Sequence, residues 1–233
     1  MPSPDSEPEG SASSRLAAPA GIDPIFWSLV VGDDLRSKTV VDVGTGAGRA
    51  ALALAPLCRR VVGIERDPEL VAEAERRASA AGLTSARFVV ADADAVASFS
   101  DAAGVETVDV VTAHLFLSDA LVVIAARSLP PGGLLVCAGF HTDHWRETGR
   151  ASRFAYDETR MRTLLETHGF AVEHLGVERA VQRFTSVEQA LAGAVGLQEK
   201  WQRDGRWFRY IEFVEQGGRT LTHAHLVAKA RRR

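Results

Sequence analysis

The sequence predicts a doubly wound α/β fold, with a mostly parallel sheet and helices on both faces. Three observations predict it. From Lys38 onward, short β-branched runs alternate with longer helical stretches. The first run, Thr39-Val40-Val41-Asp42-Val43, feeds directly into a glycine-rich turn. A Pro130-Pro131-Gly132-Gly133 break halts a helix and precedes another apolar run. Strand–helix alternation of this kind is how parallel strands joined by crossover helices read in sequence.

Residues 1 to about 20 are rich in Pro, Ser, Gly, Glu and Ala. They bury too little apolar area to offset backbone entropy, so a disordered tail is expected there. A single domain is expected over 21–233, its order beginning near Ile22 with the cluster Ile25-Phe26-Trp27-Ser28-Leu29-Val30. After the first strand, Arg49 to Leu57 reads as a helix and Arg60 to Glu65 as a second strand. Asp67-Pro68-Glu69 supplies an N-cap, a first-turn proline and a first-turn acid, and Gly82 the stop. Ala86–Ala91 and Val108–Ala113 are the third and fourth strands. A helix from Ser118 or Asp119 runs to Leu129, and Leu134–Phe140 is the fifth strand. Beyond it, Asp157 caps a helix and Phe170–Val177 is a strand. A capping box at Ser186–Gln189 opens a helix reaching Trp201. Phe208–Glu215 and Thr220–Lys229 read as strands around a hairpin turn at Gln216–Arg219.

The 233 residues are 46% hydrophobic and 24% charged, an ordinary globular composition. Two cysteines are too few for a disulfide framework or a cysteine-based zinc module. No apolar run approaches a membrane span, and no signal peptide is evident, so a cytoplasmic protein without membrane partners is expected. Residues 1–140 carry a net charge of −7 and residues 141–233 a net of +4. That excess is far below a nucleic-acid-binding domain's, and Arg231-Arg232-Arg233 reads as a solvated end. No nucleic-acid partner is expected.

The turn itself is Asp42-Val43-Gly44-Thr45-Gly46-Ala47-Gly48, between a strand and a helix. Such a turn lets a ligand approach backbone N–H groups at a helix N-terminus. A dinucleotide fingerprint requires its third glycine at position 49, which is Arg49; a P-loop ending is absent. Glu65 stands 21 residues after Gly44, at a strand end where a carboxylate accepts both hydroxyls of a ribose. Asp42 would repel a pyrophosphate and suit a cationic ammonium group. Asp92, just past the third strand, is placed to accept from an adenine amino group. The residues point to a nucleoside cofactor.

Taken in order, Asp42-x-Gly44-x-Gly46-x-Gly48, Glu65, Asp92-Ala93 and Leu129-Pro130-Pro131-Gly132-Gly133 resemble the motif series of class I S-adenosyl-L-methionine-dependent methyltransferases. The resemblance covers roughly residues 38 to 140. It implies a Rossmann-like sheet of seven strands with an antiparallel last strand. It also implies that Gly44, Thr45, Gly46 and Gly48 pass under the methionine moiety and that Glu65 holds the ribose. Arg66 would lie beside the adenine, Asp92 would take its amino group, and Ala93 would pack on the ring. Phe26 or Trp27 would cover the cofactor; the plainer reading of both is core.

Methyl transfer is an in-line displacement whose main demand is alignment, with a base needed only for some acceptors. His114, after the fourth strand, is the first candidate for a base or orienting group, and His141 the second. Each reads equally well as a loop histidine bonded to backbone. His141-x-x-His144 lacks a third ligand, so no metal is expected. Arg153 and Tyr156 are candidates for contact with a substrate carboxylate or carbonyl, and read equally as a solvated turn. The segment 182–216, with a helix and a strand, reads as an insertion: a lid, a homodimer element or a helix packed on the sheet. The resulting expectation is a methyltransferase acting on a small molecule. RNA or protein methylation, a silent cofactor-binding module and an NAD-dependent oxidoreductase are the alternatives.

Overall fold

The computed structural model describes residues 16–233. The expected tail therefore lies mostly outside the described residues. Leu16–Ala20 run irregularly beside the first helix, where the Leu16 carbonyl accepts from Trp27 Nε1 at 3.1 Å.

Seven strands form one sheet: β1 (Thr39–Val43), β2 (Arg60–Glu65), β3 (Ala86–Val90), β4 (Val110–His114), β5 (Leu134–Phe140), β6 (Phe170–Arg183) and β7 (Thr220–Arg232). Their order is β3-β2-β1-β4-β5-β7-β6. β1 to β5 are parallel, and β7 lies antiparallel between β5 and β6. The chain reverses direction across the sheet between β1 and β4, where the carboxyl ends of both strands open a crevice.

Strand alternation divides the core into two layers. Val41, Val43, Val62, Ile64, Val111, Leu135 and Cys137 face one cluster, completed by α4 (Phe99–Ala103), α5 (Asp119–Ser128) and α6 (Glu158–Thr167). Val40, Val61, Val110, Leu134 and Val136 face the other, covered by α1 (Pro24–Val31), α2 (Arg49–Leu54) and α3 (Pro68–Ala80). The caps are those the sequence announces: the Asp67 carboxylate accepts from Glu69 N, Ser118 Oγ from Leu121 N and Asp157 from Arg160 N.

The region after β6 departs from expectation. Phe208–Glu215 is not a strand but part of helix α9 (Arg206–Glu215), because Arg206, Tyr210 and Val214 recur every four residues and bury one face. Gln216–Arg219 is accordingly a helix exit, with Gly217 at φ +96°. The helix expected from Ser186 to Trp201 is split into α7 (Val187–Ala194) and α8 (Gln198–Arg203) by a 3-10 turn at Val195–Leu197. These helices and the loop after β5 share a third core of Trp145, Trp201, Tyr210 and Leu221. Arg231 and Arg232 are not a solvated end: Arg231 pairs with Asp33 and Glu173, and Arg232 donates to the carbonyls of Ala126 and Gly169.

β6 and β7 outrun the rest of the sheet. Pairing with β5 stops at Phe140–His225, whereas β6 and β7 stay paired to Arg183–Thr220. The inserted helices sit at the tip of this two-stranded arm.

Candidate functional site

The crevice holds a cavity of about 350 Å³ lined by Gly44, Glu65, Arg66, Asp92, Ala93 and the segment Leu115–Ser118, with Gly139, Phe140 and Phe154 at its far side. Five of the residues singled out from sequence thus share one space. They come together because β1, β2 and β3 are parallel and in register, so their carboxyl ends finish at one edge.

The glycine turn is built from below. Gly44 N and Thr45 N donate to the Ile64 carbonyl at 2.9 and 3.1 Å. Asp42 does not reach the cavity: it is buried, and its carboxyl oxygens accept from Thr45 Oγ1 at 2.6 Å and Thr112 Oγ1 at 2.8 Å. Burial pushes Asp42 up to about 6 despite both hydroxyls. Its role is to pin the turn to β4 rather than to meet a ligand's ammonium group.

Glu65 clamps the turn from the side. Oε2 accepts from Gly46 N at 3.1 Å, and Oε1 from Arg66 N and Asp67 N at 2.8 and 3.1 Å. Oε2, with one donor, keeps acceptor capacity for a further one, whereas Oε1 already accepts two. At Gly46, φ is +54° and a Cβ would meet nothing within 4 Å, so the turn presents bare backbone to open space. Gly48 serves packing instead, since a Cβ there would stand 3.0 Å from Ala74 and Phe88. Asp92 Oδ1 accepts from Asp94 N at 3.0 Å, which shapes the turn after β3.

Sequence reasoning missed the opposite wall. Leu115 takes φ +60°, an unfavourable region for a residue with a branched side chain, and Phe116 lies against Gly44. Leu-Phe-Leu before a helix cap reads as core, and only the positive φ marks the segment as special. Ser118 Oγ, besides capping α5, donates to Asp94 Oδ1 at 2.6 Å and ties this wall to the Asp92 turn.

The catalytic candidates and the aromatic lid are not brought to the cavity. Trp27 is buried in the apolar cluster between α1 and the sheet, its indole N–H satisfied by the Leu16 carbonyl. His114 Nε2 accepts from Asp23 N at 3.0 Å, its ring packs on Phe26, and burial lowers it to about 4. His141 is buried, with Nδ1 accepting from Asp143 N and Nε2 3.0 Å from Glu158 Oε2. Both candidate bases are thus committed to structural contacts. Tyr156 donates to Asp119 Oδ1 at 2.6 Å, and Arg153 stacks on Phe154. Among the described residues no His, Cys, Asp and Glu group has the arrangement of a metal site.

Comparison with known proteins agrees with this geometry. The family described as "Methyltransferase domain" matches residues 40–133. A protein-L-isoaspartate O-methyltransferase from Rhodospirillum rubrum is 35% identical over 153 residues, covering 63% of this chain and 68% of that protein. An uncharacterised RNA methyltransferase from Caldanaerobacter subterraneus is 39% identical over 59 residues, 25% of this chain; the chain spans only 13% of that protein's length. Among solved structures, a Bacillus halodurans protein described as a putative methyltransferase has TM-score 0.63 at 19% identity, covering 88% of this chain and 97% of its own. Magnesium protoporphyrin IX methyltransferase from Synechocystis, solved with bound S-adenosylhomocysteine, has TM-score 0.59 at 17% identity, with 90% and 80% covered. At these identities the solved structures show the fold alone.

Proposed function

Because the chain belongs to the class I S-adenosyl-L-methionine-dependent methyltransferases, we propose that it methylates a small-molecule acceptor by in-line displacement. The observation that carries this reading is the lining of the cavity: Gly44, Glu65, Arg66, Asp92 and Ala93 share one space with an apolar wall of Leu115, Phe116, Phe140 and Phe154. The polar residues suit the cofactor, since the bare backbone at Gly46 and the spare acceptor capacity of Glu65 Oε2 fit a close-packed nucleoside and amino-acid chain. In this assignment Gly44, Thr45 and Gly46 shape the floor, Glu65 takes the ribose hydroxyls, and Asp92 takes the adenine amino group beside Ala93 and Arg66.

When bound, the cofactor supplies a sulfonium methyl: the acceptor's lone pair makes the new bond, and the carbon–sulfur electron pair stays on sulfur. The chain's own contribution is placement. The apolar wall excludes water and holds the acceptor on one line with the methyl group, which lowers the entropic part of the barrier. The ionisable groups bordering the cavity, Glu65, Arg66, Asp92 and Asp94, stand at the ends of β2 and β3. A proton lost by the acceptor therefore leaves to solvent, and nucleophiles active without a dedicated base are favoured. His114 and His141 hold the structure around the site in this account and take no proton from the acceptor.

A protein carboxylate as acceptor is the second reading, favoured by the Rhodospirillum relative. A cytoplasmic location belongs to the proposal; no helix among the described residues is long and apolar enough to cross a membrane. Calorimetric titration with S-adenosylhomocysteine, with NAD in parallel, tests the cofactor site. Micromolar binding of the first alone is expected. Transfer of labelled methyl to small-molecule pools rather than to isoaspartyl peptides then separates the two acceptor classes.

A further inference from the structure

The strand order sorts the cavity lining by chemistry. Neighbouring strands stand roughly 4.8 Å apart, so along β3-β2-β1-β4-β5 the ends of β3 and β5 are separated by roughly 19 Å. Among the described residues, every ionisable group in the lining belongs to the β2–β3 side: Glu65 and Arg66 at the end of β2, Asp92 and Asp94 after β3. The β4–β5 side supplies Leu115, Phe116, Leu117, Gly139 and Phe140, and the loop beyond β5 adds Phe154. Ser118 is the polar side chain nearest them in sequence. Its hydroxyl donates to Asp94 and accepts from Leu121 N, so it is engaged at both hydrogen and oxygen.

The segment after β4 lays down this apolar surface by reaching over both neighbours of its own strand. A Cβ at Gly44, directly after β1, would stand 2.7 Å from Phe116, and one at Gly139, in β5, 2.6 Å from Leu117. Phe116 therefore covers the end of β1 and Leu117 packs on β5, with β4 between them. The positive φ of Leu115 turns the chain into this course, while its N–H still donates to the Ala138 carbonyl at 2.8 Å. Leu115 and Phe154 are 41% and 55% exposed, so the apolar wall continues to the outside and a ligand can enter along it. Two cations lie near the wall without entering the lining: Arg153 is 4.5 Å from the Phe154 ring centre and Lys200 5.9 Å from that of Phe140.

With Gly44, Glu65 and Asp92 given to the cofactor, the β4–β5 side is what remains for the acceptor. We infer that the acceptor is an uncharged aromatic molecule, its ring held among Phe116, Phe140 and Phe154. The assignment rests on the small-molecule reading above. A carboxylate or phosphate in that place would exchange its water for a surface that offers neither a cation nor a free side-chain donor, which is costly. An uncharged ring gives up little to water and meets phenyl groups that pack on its face or edge.

2-Naphthol and quinoline, both uncharged at neutral pH, are titrated by calorimetry into protein saturated with S-adenosylhomocysteine. 2-Naphthoate serves as the charged counterpart and trans-2-decalol as the saturated one. The uncharged aromatics are expected to bind at least tenfold more tightly than either counterpart. Phe154→Ala should weaken naphthol binding at least fivefold. Phe154→Lys sets an ammonium group into the wall and should raise naphthoate affinity at least fivefold while lowering that of naphthol. Phe154 is exposed, so both variants keep the fold, and S-adenosylhomocysteine titrated alone into each checks the cofactor residues. Naphthoate or decalol binding the parent as tightly as naphthol overturns the proposal, as does naphthol affinity unmoved by Phe154→Ala. S-adenosylhomocysteine binding with none of the four molecules bound overturns the acceptor class and leaves the methyltransferase reading intact. Failure of S-adenosylhomocysteine itself to bind overturns that reading, and the acceptor class with it.

Discussion

At Gly46 the demands of fold and ligand separate cleanly. Its Cβ would meet no protein atom, so Gly46→Val costs the fold only the strain of a positive φ, about 1–2 kcal/mol. The same side chain would fill the open space assigned to the cofactor in the proposal. The variant should stay folded by circular dichroism and lose S-adenosylhomocysteine binding in calorimetry. Glu65→Ala removes acceptors from three backbone N–H groups and, in the proposed assignment, from the ribose as well. Binding should weaken by roughly 1.5–3 kcal/mol, the worth of charged hydrogen bonds, and the melting temperature should fall with it. Binding equal to the parent's would displace Glu65 from the ribose assignment.

Asp42 makes a pH-dependent prediction of definite sign. Its carboxyl is held near 6 in the folded chain against an ordinary 3.8, so the folded state favours the neutral acid. That contribution is full below about pH 3.8 and is lost as pH rises through 6. Asp42→Asn is neutral throughout and should therefore gain on the parent by roughly 2 kcal/mol at pH 8 relative to pH 4. Thermal melts of both proteins across that range measure the difference; a constant offset would show that Asp42 is not buried as a charge. The positions of Asp42 and Glu65 stood out because an acid ending an apolar strand is conspicuous, but the burial of Asp42 on Thr45 and Thr112 carried no such mark. The directions of the histidine nitrogens were not, since a histidine after a strand carries no mark of which neighbour its ring will meet.

Helix α1 shows how one element takes its support from another. Asp23 caps it by accepting from Ile25 N and Phe26 N, and His114, at the end of β4, accepts from Asp23 N in turn. His114→Ala leaves that N–H without its acceptor and should cost about 1 kcal/mol of stability with S-adenosylhomocysteine affinity unchanged. A large loss of cofactor affinity would put His114 back in the site. β1 to β5 were legible because β-branched composition, burial and glycine punctuation agree there. They disagree after β6: Trp207-Phe208-Arg209-Tyr210 has the composition of a strand, and only tertiary contact of Tyr210 and Val214 with Trp201 and Leu221 selects the helix.

For the molecule as a whole, parallel strand ends at one edge of the sheet make cofactor binding and folding a single linked equilibrium. A ligand at one hundred times its dissociation constant stabilises the folded state by about 2.7 kcal/mol. Saturating S-adenosylhomocysteine should thus raise the melting temperature by several degrees, and NAD should not. The two-stranded arm has a different consequence. The inserted helices leave and rejoin the sheet at a single rung, Arg183 opposite Thr220, beyond the last contact with β5. Residues 184–219 form a cap joined to the sheet at one rung, so its length and sequence can change while the strand ends that carry the glycine turn keep their register.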